Sequence, residues 1–113
     1  MASQRMRRVD QAIRQVISDA LREVKDPRVG FVTVTEVKTS PDLRHARVYV
    51  SVLGGVPERE ATLAGLQSAH GYLQGRIADE LALKHTPALR FVYDDTGERA
   101  ARLDELIERE AQE

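Results

Sequence analysis

The sequence contains no cysteine, which excludes several kinds of chemistry at once. Without thiols there is no disulfide, no thiolate metal site and no cysteine nucleophile, and a reducing compartment is permitted. No stretch is long and apolar enough to span a bilayer, and the N-terminus lacks a signal-type apolar block. These features predict a soluble, cytoplasmic protein with no membrane partner.

Spaced catalytic and ligand-binding motifs are missing as well. The three histidines form no HxxxH or HExxH pair, and they are His45, His70 and His85. Gly54-Gly55 is followed by neither a P-loop lysine nor a GxGxxG continuation. We therefore expect a protein that is not an enzyme and that needs no cofactor and no metal.

Charge is distributed unevenly along a chain whose 113 residues suit one domain. Residues 1–93 contain fourteen basic and ten acidic residues, a net charge of +4, whereas residues 94–113 contain three and eight, a net charge of −5. We predict a folded domain over 1–93 and an acidic C-terminal tail over 94–113. A basic body favours a polyanionic partner, although a surface rich in salt bridges gives similar counts.

An amphipathic helix is predicted over about residues 4–25, ended by Asp26-Pro27. At about 100° per residue, four basic residues fall within about 80° of one another on its solvent side. They are Arg7, Arg14, Arg22 and Lys25. Such a stripe suits phosphate contact, and an ordinary solvated helix face is the alternative.

Two β-branched segments, Gly30–Thr39 and His45–Leu53, predict a hairpin. Alternation in the second segment places Arg47 on an open face. Lys38, Arg44 and His45 cluster nearby, as RNA-facing charges or as charges that discourage aggregation at a strand edge. For Lys38 we favour the second interpretation.

The stretch 58–93 predicts a long helix to Leu83 and a strand over Ala88–Tyr93. An unbroken helix would put His70 in its apolar stripe. A kink at Ala69-His70-Gly71, with Gly71 at positive φ, would instead turn His70 and backbone N–H groups outward. A continuous helix with His70 in the core is the alternative. The tail has a narrow apolar stripe compatible with a helix that docks on the domain, pairs with a partner or forms transiently.

This order predicts an α+β fold, a single type II KH-like domain (α-β-β-α-kink-α-β) with a kinked helix pair packed on a three-stranded sheet. At the level of motifs the chain resembles the ribosome-binding factor A family. Arg5 to Val9 resembles its R-x-x-R-V, and Asp26 to Thr35 with Asp42 to Val50 resembles its hairpin signature. Ser68 to Leu73 and Pro87 to Asp95 resemble its A-x-G kink and closing strand.

The resemblance implies a non-catalytic assembly factor, monomeric off the ribosome, that binds the small (30S) ribosomal subunit. It implies assistance in late maturation and processing of 16S rRNA, including in the cold, and it favours the kinked helix. The expected RNA contacts are Arg5, Arg7, Arg8, Arg14, Arg22, Lys25, Arg44, Arg47, Ser68, Ala69, His70, Gly71, Arg76 and Lys84. Gln74 stands where the family often has a basic residue, and Arg76 is expected to compensate.

Two other functions compete with this one. A generic KH-like binder of single-stranded RNA is disfavoured because few aromatic residues are available for base stacking. A protein-interaction or small-ligand module, whose basic stripe serves solubility alone, is the third hypothesis. Sedimentation with small subunits and binding to free oligonucleotides distinguish the three.

Overall fold

A computed structural model describes residues 3–112. Its elements are α1 (Gln4–Leu21), β1 (Val32–Thr39), β2 (His45–Val52), α2 (Val56–Ser68), α3 (His70–Glu80), β3 (Ala88–Tyr93) and α4 (Thr96–Gln112). The predicted α+β class and the order α-β-β-α-kink-α-β are confirmed, with one more helix after β3.

The sheet has the strand order β1-β2-β3. β1 and β2 pair antiparallel, as the hairpin prediction requires, whereas β2 and β3 pair parallel. The register of the first pair shifts between Val34 and Glu36, which leaves Thr35 as an extra residue in β1. Because β1 comes first in the strand order, it is an edge strand, and its bulge at Thr35 lies near the middle of the strand.

Alternation along β2 decides which face of the sheet is covered. Ala46, Val48, Val50 and Val52 are buried, and Arg47 is exposed on the opposite face, as predicted. The buried face packs against α1, α2 and α3 around one core. Its larger members are Ile13, Ile17, Val34, Val48, Val50, Leu66, Leu73, Ile77, Leu89 and Phe91.

α1 begins where Ser3 accepts a hydrogen bond from the Met6 N–H at 3.1 Å, an N-cap. It ends at Leu21, so the predicted end at residue 25 was wrong. The N–H groups of Arg22, Glu23 and Val24 each donate to the carbonyl three residues back. This tight 3₁₀-like turn terminates the helix although the apolar spacing continues to Val24.

The long predicted helix is divided at Ala69, whose φ of −88° and ψ of 2° lie outside the helical region. The kink is confirmed, but its predicted cause is wrong. Gly71 lies within α3, and the described glycine with positive φ is Gly54. α3 ends at Glu80 rather than Leu83 because Leu81 adopts an extended backbone.

α2 packs closely on the segment that precedes β1. A Cβ on Gly65 would lie 2.7 Å from the Val29 Cγ2 atom, so the contact requires glycine. Buried Thr62 contacts the same segment, since its Oγ1 lies 3.4 Å from the Arg28 carbonyl. These contacts hold α2 next to the loop between α1 and β1.

α4 forms in the acidic tail, but its apolar stripe is not covered by the described part of the chain. Leu103, Leu106 and Ile107 are each more than half exposed. The helix is attached at its start, where Glu98 accepts hydrogen bonds from Arg59 at 2.8 Å and Tyr93 at 2.6 Å. Among residues 3–112, no helix has the length and apolarity needed to cross a membrane.

Candidate nucleic-acid interface

The basic stripe on α1 is exposed to solvent. Arg7 lies on the helix, Arg22 and Lys25 follow its last residue, and none of the three forms a salt bridge with another described residue. Arg14 differs, because its Nε donates to the Val34 carbonyl at 3.3 Å. The stripe therefore offers three cations without an acidic partner in the described chain, and one that is partly held against β1.

Arg14 is one of two α1 side chains that hydrogen-bond to backbone groups along the free edge of β1. Asp10 on α1 accepts a hydrogen bond from the Thr39 N–H at 2.9 Å. Together the two side chains satisfy backbone groups that β1 would otherwise present to another strand. Arg14 thus has a structural role in addition to its predicted role in binding.

Three predicted contacts from distant parts of the sequence meet at one cleft of about 580 Å³. Arg5 reaches it from α1, Arg44 from the turn before β2, and Lys84 from the loop before β3. Arg8 is exposed on α1. The cleft could hold an anionic group between the N-terminal end of α1 and the hairpin turn.

The turn positions Arg44 through a buried, strained residue. Leu43 has a φ of 61° and is almost fully buried. Asp42 accepts hydrogen bonds from the Ser40 hydroxyl at 2.7 Å and the Arg44 N–H at 3.1 Å, which lower the pKa of its carboxyl. Arg44 lies 3.8 Å from Asp42, an exposed ion pair that a phosphate could replace.

The junction of α2 and α3 places Ser68, His70 and Gly71 at the surface, and Ala69 is partly buried. No side chain of the described residues caps α3, so the first backbone N–H groups of this helix have no side-chain partner there. Ser68 accepts a hydrogen bond from Arg28 Nη2 at 3.0 Å. His70 Nδ1 lies 2.6 Å from the Gln67 carbonyl, which orients the ring.

Arg28 was missed by the sequence analysis, and it supports this junction. Its side chain donates hydrogen bonds to both carboxylate oxygens of Asp26, the shorter at 2.6 Å. These bonds, together with one from the Arg28 N–H, lower the pKa of Asp26 to about 2. The motif Asp-x-Arg was the available signal, because an Asx turn brings these two side chains together.

Arg76 lies in an intramolecular network rather than at a free surface. It donates to Glu80 at 2.8 Å, to Glu23 at 2.8 Å and to the Tyr72 hydroxyl at 3.0 Å. The Tyr72 hydroxyl donates to Glu23, and this bond and the Arg76 charge lower the pKa of Glu23. Two carboxylates already neutralise Arg76, which disfavours the prediction that it compensates for Gln74.

Gln74 itself has a structural partner. Its Nε2 donates to the Pro87 carbonyl at 2.9 Å, which ties α3 to the loop that enters β3. The side chain therefore faces the body of the domain.

Arg47 lies apart from all these groups, on the open face of the sheet. Lys38 on β1 and Arg90 on β3 are its register partners. Arg90 was missed, although its alternation with Leu89 and Phe91 indicated the open face. The predicted site residues are thus divided among α1, the Arg5–Arg44–Lys84 cleft, the α2–α3 junction and the open face.

The chemistry available at these surfaces is charge neutralisation and hydrogen bonding by N–H groups. Over residues 3–112, no three His, Asp or Glu side chains are grouped as metal binding would require. Exposed arginines at several separate positions match a large polyanion better than a small one.

Comparison with known proteins gives consistent results. A family model described as ribosome-binding factor A matches residues 5–107. A Halothermothrix orenii protein named ribosome-binding factor A is 46% identical over 114 residues, covering 100% of this chain and 93% of that protein. An Anaeromyxobacter protein of the same name is 47% identical over 108 residues, covering 94% and 88% of the two chains.

Solved structures agree with this fold. The solution NMR structure of a Thermotoga maritima protein described as a putative ribosome binding factor A superposes with a TM-score of 0.73 at 36% identity, covering 81% of this chain and 89% of that one. A homology model of Thermus thermophilus ribosome binding factor A, fitted into a cryo-EM map of a 30S complex, superposes with a TM-score of 0.63 at 24% identity. It covers 75% of this chain and 90% of that one, and at this identity it shows the fold alone.

Proposed function

The chain belongs to the ribosome-binding factor A family, and from this we propose that it binds the small (30S) ribosomal subunit. We further propose that it assists late maturation and processing of 16S rRNA, including during growth in the cold. The observation that carries the proposal is the family match, which spans residues 5–107. The Thermus protein of the same description, fitted into a map of a 30S complex, is consistent with this partner.

The mode of action that we propose is binding without catalysis. A monomer in the cytoplasm would contact rRNA phosphates through exposed cations on α1 and in the Arg5–Arg44–Lys84 cleft. Each phosphate that such a residue neutralises releases counterions, so binding should weaken as salt rises. The uncapped start of α3 would add N–H groups at a position where a helix favours negative charge.

Recognition of single-stranded RNA by base stacking has less support. Phe91 is buried, Tyr72 is held by Glu23, and Tyr93 lies under Arg59 at 3.8 Å from its ring centre. Phe31 is largely exposed and Tyr49 is half-buried. Two separated rings make a poor stacking platform, so we expect shape and phosphate contacts to dominate.

Sedimentation through a sucrose gradient with purified small subunits tests the proposal. The full chain should migrate with the subunits, and Arg7→Gln with Arg22→Gln should weaken this binding and flatten its salt dependence. Arg102→Gln with Arg109→Gln on α4 is the matched control, because it removes the same charge from exposed residues elsewhere. Failure of the unmodified chain to co-migrate contradicts the proposal, and preference for free oligonucleotides supports the generic RNA binder.

A further inference from the structure

The open face of the sheet carries a row of three basic residues in register. Lys38 on β1 lies opposite Arg47 on β2, and Arg47 lies opposite Arg90 on β3. Because neighbouring strands are about 4.8 Å apart, this basic row crosses the sheet over about 10 Å. It is on the side away from the helices that carry the other predicted contacts.

The row is costly for the fold by itself. Like charges directly opposite each other on neighbouring strands destabilise a sheet, and here two such pairs are adjacent. Lys38 has an acidic neighbour, Glu36, at 3.8 Å. Arg47 and Arg90 form no salt bridge with any of the residues that the structure describes. An arrangement that opposes stability, with an acidic partner for only one of its three cations, indicates a function.

The surroundings of the row are suited to an anion. A shallow depression of about 560 Å³ contains the three side chains together with His45, and among residues 3–112 no carboxylate lines it. Tyr49 lies beside the row, with the cationic groups of Lys38 and Arg47 about 6 Å from its ring centre. The acidic helix α4 forms its salt bridges with Arg59 and with Asp95, which precedes the helix, rather than with this row.

We propose that the basic row of Lys38, Arg47 and Arg90 is a second RNA-binding surface that contacts the phosphate backbone of rRNA. It would bind an RNA segment different from the one that meets α1, since α1 packs on the buried face of the sheet, opposite the open face. The domain would thus contact two RNA segments, one on each side of the sheet. This inference rests on the proposed function and adds a surface to it.

The test uses the double variant Arg47→Gln with Arg90→Gln in the full chain, measured by co-sedimentation with small subunits over a range of salt concentrations. Loss of two phosphate contacts should lower the affinity roughly tenfold and make the slope of log affinity against log salt shallower by about 1.4. Arg47→Lys with Arg90→Lys should keep the slope. The control, Arg102→Gln with Arg109→Gln, should retain both affinity and slope.

Thermal melting of the same samples separates binding from folding. Removing like charges should leave the Tm of the Gln variant unchanged or raise it. A Gln variant that binds with the unmodified affinity and slope overturns the second surface and leaves the proposed function intact, whereas an unmodified chain that never binds subunits overturns both.

Deproteinised rRNA distinguishes RNA from protein as the partner of the row. We expect the same change of slope on this RNA as on intact subunits. A change seen on intact subunits alone would assign the row to a ribosomal protein and overturn the RNA assignment. Equal losses in the α4 control would indicate a general effect of net charge and would also overturn it.

Discussion

At the scale of single residues, the glycines of α2 and α3 have different roles despite similar positions within helices. Gly65 is buried against Val29, whereas a Cβ atom at Gly71 or Gly75 would have no neighbour within 4 Å. The sequence pattern does not separate them, because the difference depends on which segment packs across the helix. Of these three glycines, only Gly65 is required by its surroundings.

Gly65→Ala should therefore lower the free energy of unfolding by about 1–3 kcal/mol, because the added methyl group would overlap Val29. Gly75→Ala should raise it by up to about 1 kcal/mol, because alanine favours an open helical position. Urea denaturation of both variants measures the two changes in the free energy of unfolding. Equal effects would show that Val29 yields to the added methyl group without cost.

The carboxyl group of Asp26 predicts how the stability of the protein depends on pH. Its pKa is lowered to about 2, from an ordinary value of 3.8, by hydrogen bonds from Arg28. A lowered folded-state pKa means that the stabilising contribution is complete above pH 3.8 and is lost as pH falls through about 2. NMR titration should give this low value, and Arg28→Gln should return it toward 3.8. An unchanged pKa in the variant would contradict the assigned cause.

At the scale of elements, the sequence predicted the strands within two residues because β-branched alternation and turn residues agree there. Helix ends were less predictable. The apolar spacing of α1 continues through Val24 although the backbone leaves the helix after Leu21. The kink was located correctly, yet its geometry arises at Ala69 rather than from glycine at position 71. Local backbone geometry of this kind is decided by packing that a sequence pattern does not describe.

The connection between β3 and α4 depends on one carboxylate. Asp94 accepts hydrogen bonds from the Thr35 hydroxyl at 2.6 Å and from the Thr96 N–H at 2.9 Å. These bonds lower the pKa of Asp94, the Thr35 bond most strongly. The extra residue in β1 is thereby tied to the start of the last helix.

Asp94→Ala should reduce the free energy of unfolding by about 1–2 kcal/mol, since it removes a cap-like bond and the link to Thr35. The helical signal in far-UV circular dichroism should fall as the start of α4 frays. Glu105→Ala, at an exposed position within α4, should change stability by less than about 0.5 kcal/mol. If the two substitutions have the same effect, Asp94 does not anchor the helix.

At the scale of the whole molecule, the division into a domain over 1–93 and a tail over 94–113 stays a prediction. The site residues were individually plausible, but their grouping was not predictable. Arg5, Arg44 and Lys84 meet because of the fold, and the row of Lys38, Arg47 and Arg90 depends on strand order and register. Sequence alternation gives the face of each strand, and only the assembled sheet gives its neighbours.

Removing residues 96–113 takes away six acidic and three basic residues and changes the net charge from −1 to +2. Because α4 leaves its apolar residues exposed, the truncated chain should retain its fold with a small loss of Tm. Its affinity for unrelated RNA should rise, since the carboxylates of the tail no longer compete with phosphates.

A full-length control separates charge from the loss of the helix. Asp104→Asn, Glu105→Gln and Glu108→Gln together give the same net charge of +2 with α4 retained. Melting curves and affinity for unrelated RNA are measured on both proteins. A large loss of Tm on truncation would support docking of α4, and unchanged affinity in both would contradict competition by the tail.

The parallel pairing of β2 with β3 also has a consequence for the order of folding. Thirty-five residues separate the end of β2 from the start of β3. Closing a connection of this length costs more chain entropy than closing the hairpin turn, so the hairpin and α1 should assemble first. We therefore expect Leu89→Ala to accelerate unfolding with little effect on the folding rate, and Val37→Ala to slow folding. Stopped-flow chevron plots measure both. Until β3 docks, β2 has an unpaired edge, and a newly made chain is most vulnerable to aggregation during that interval.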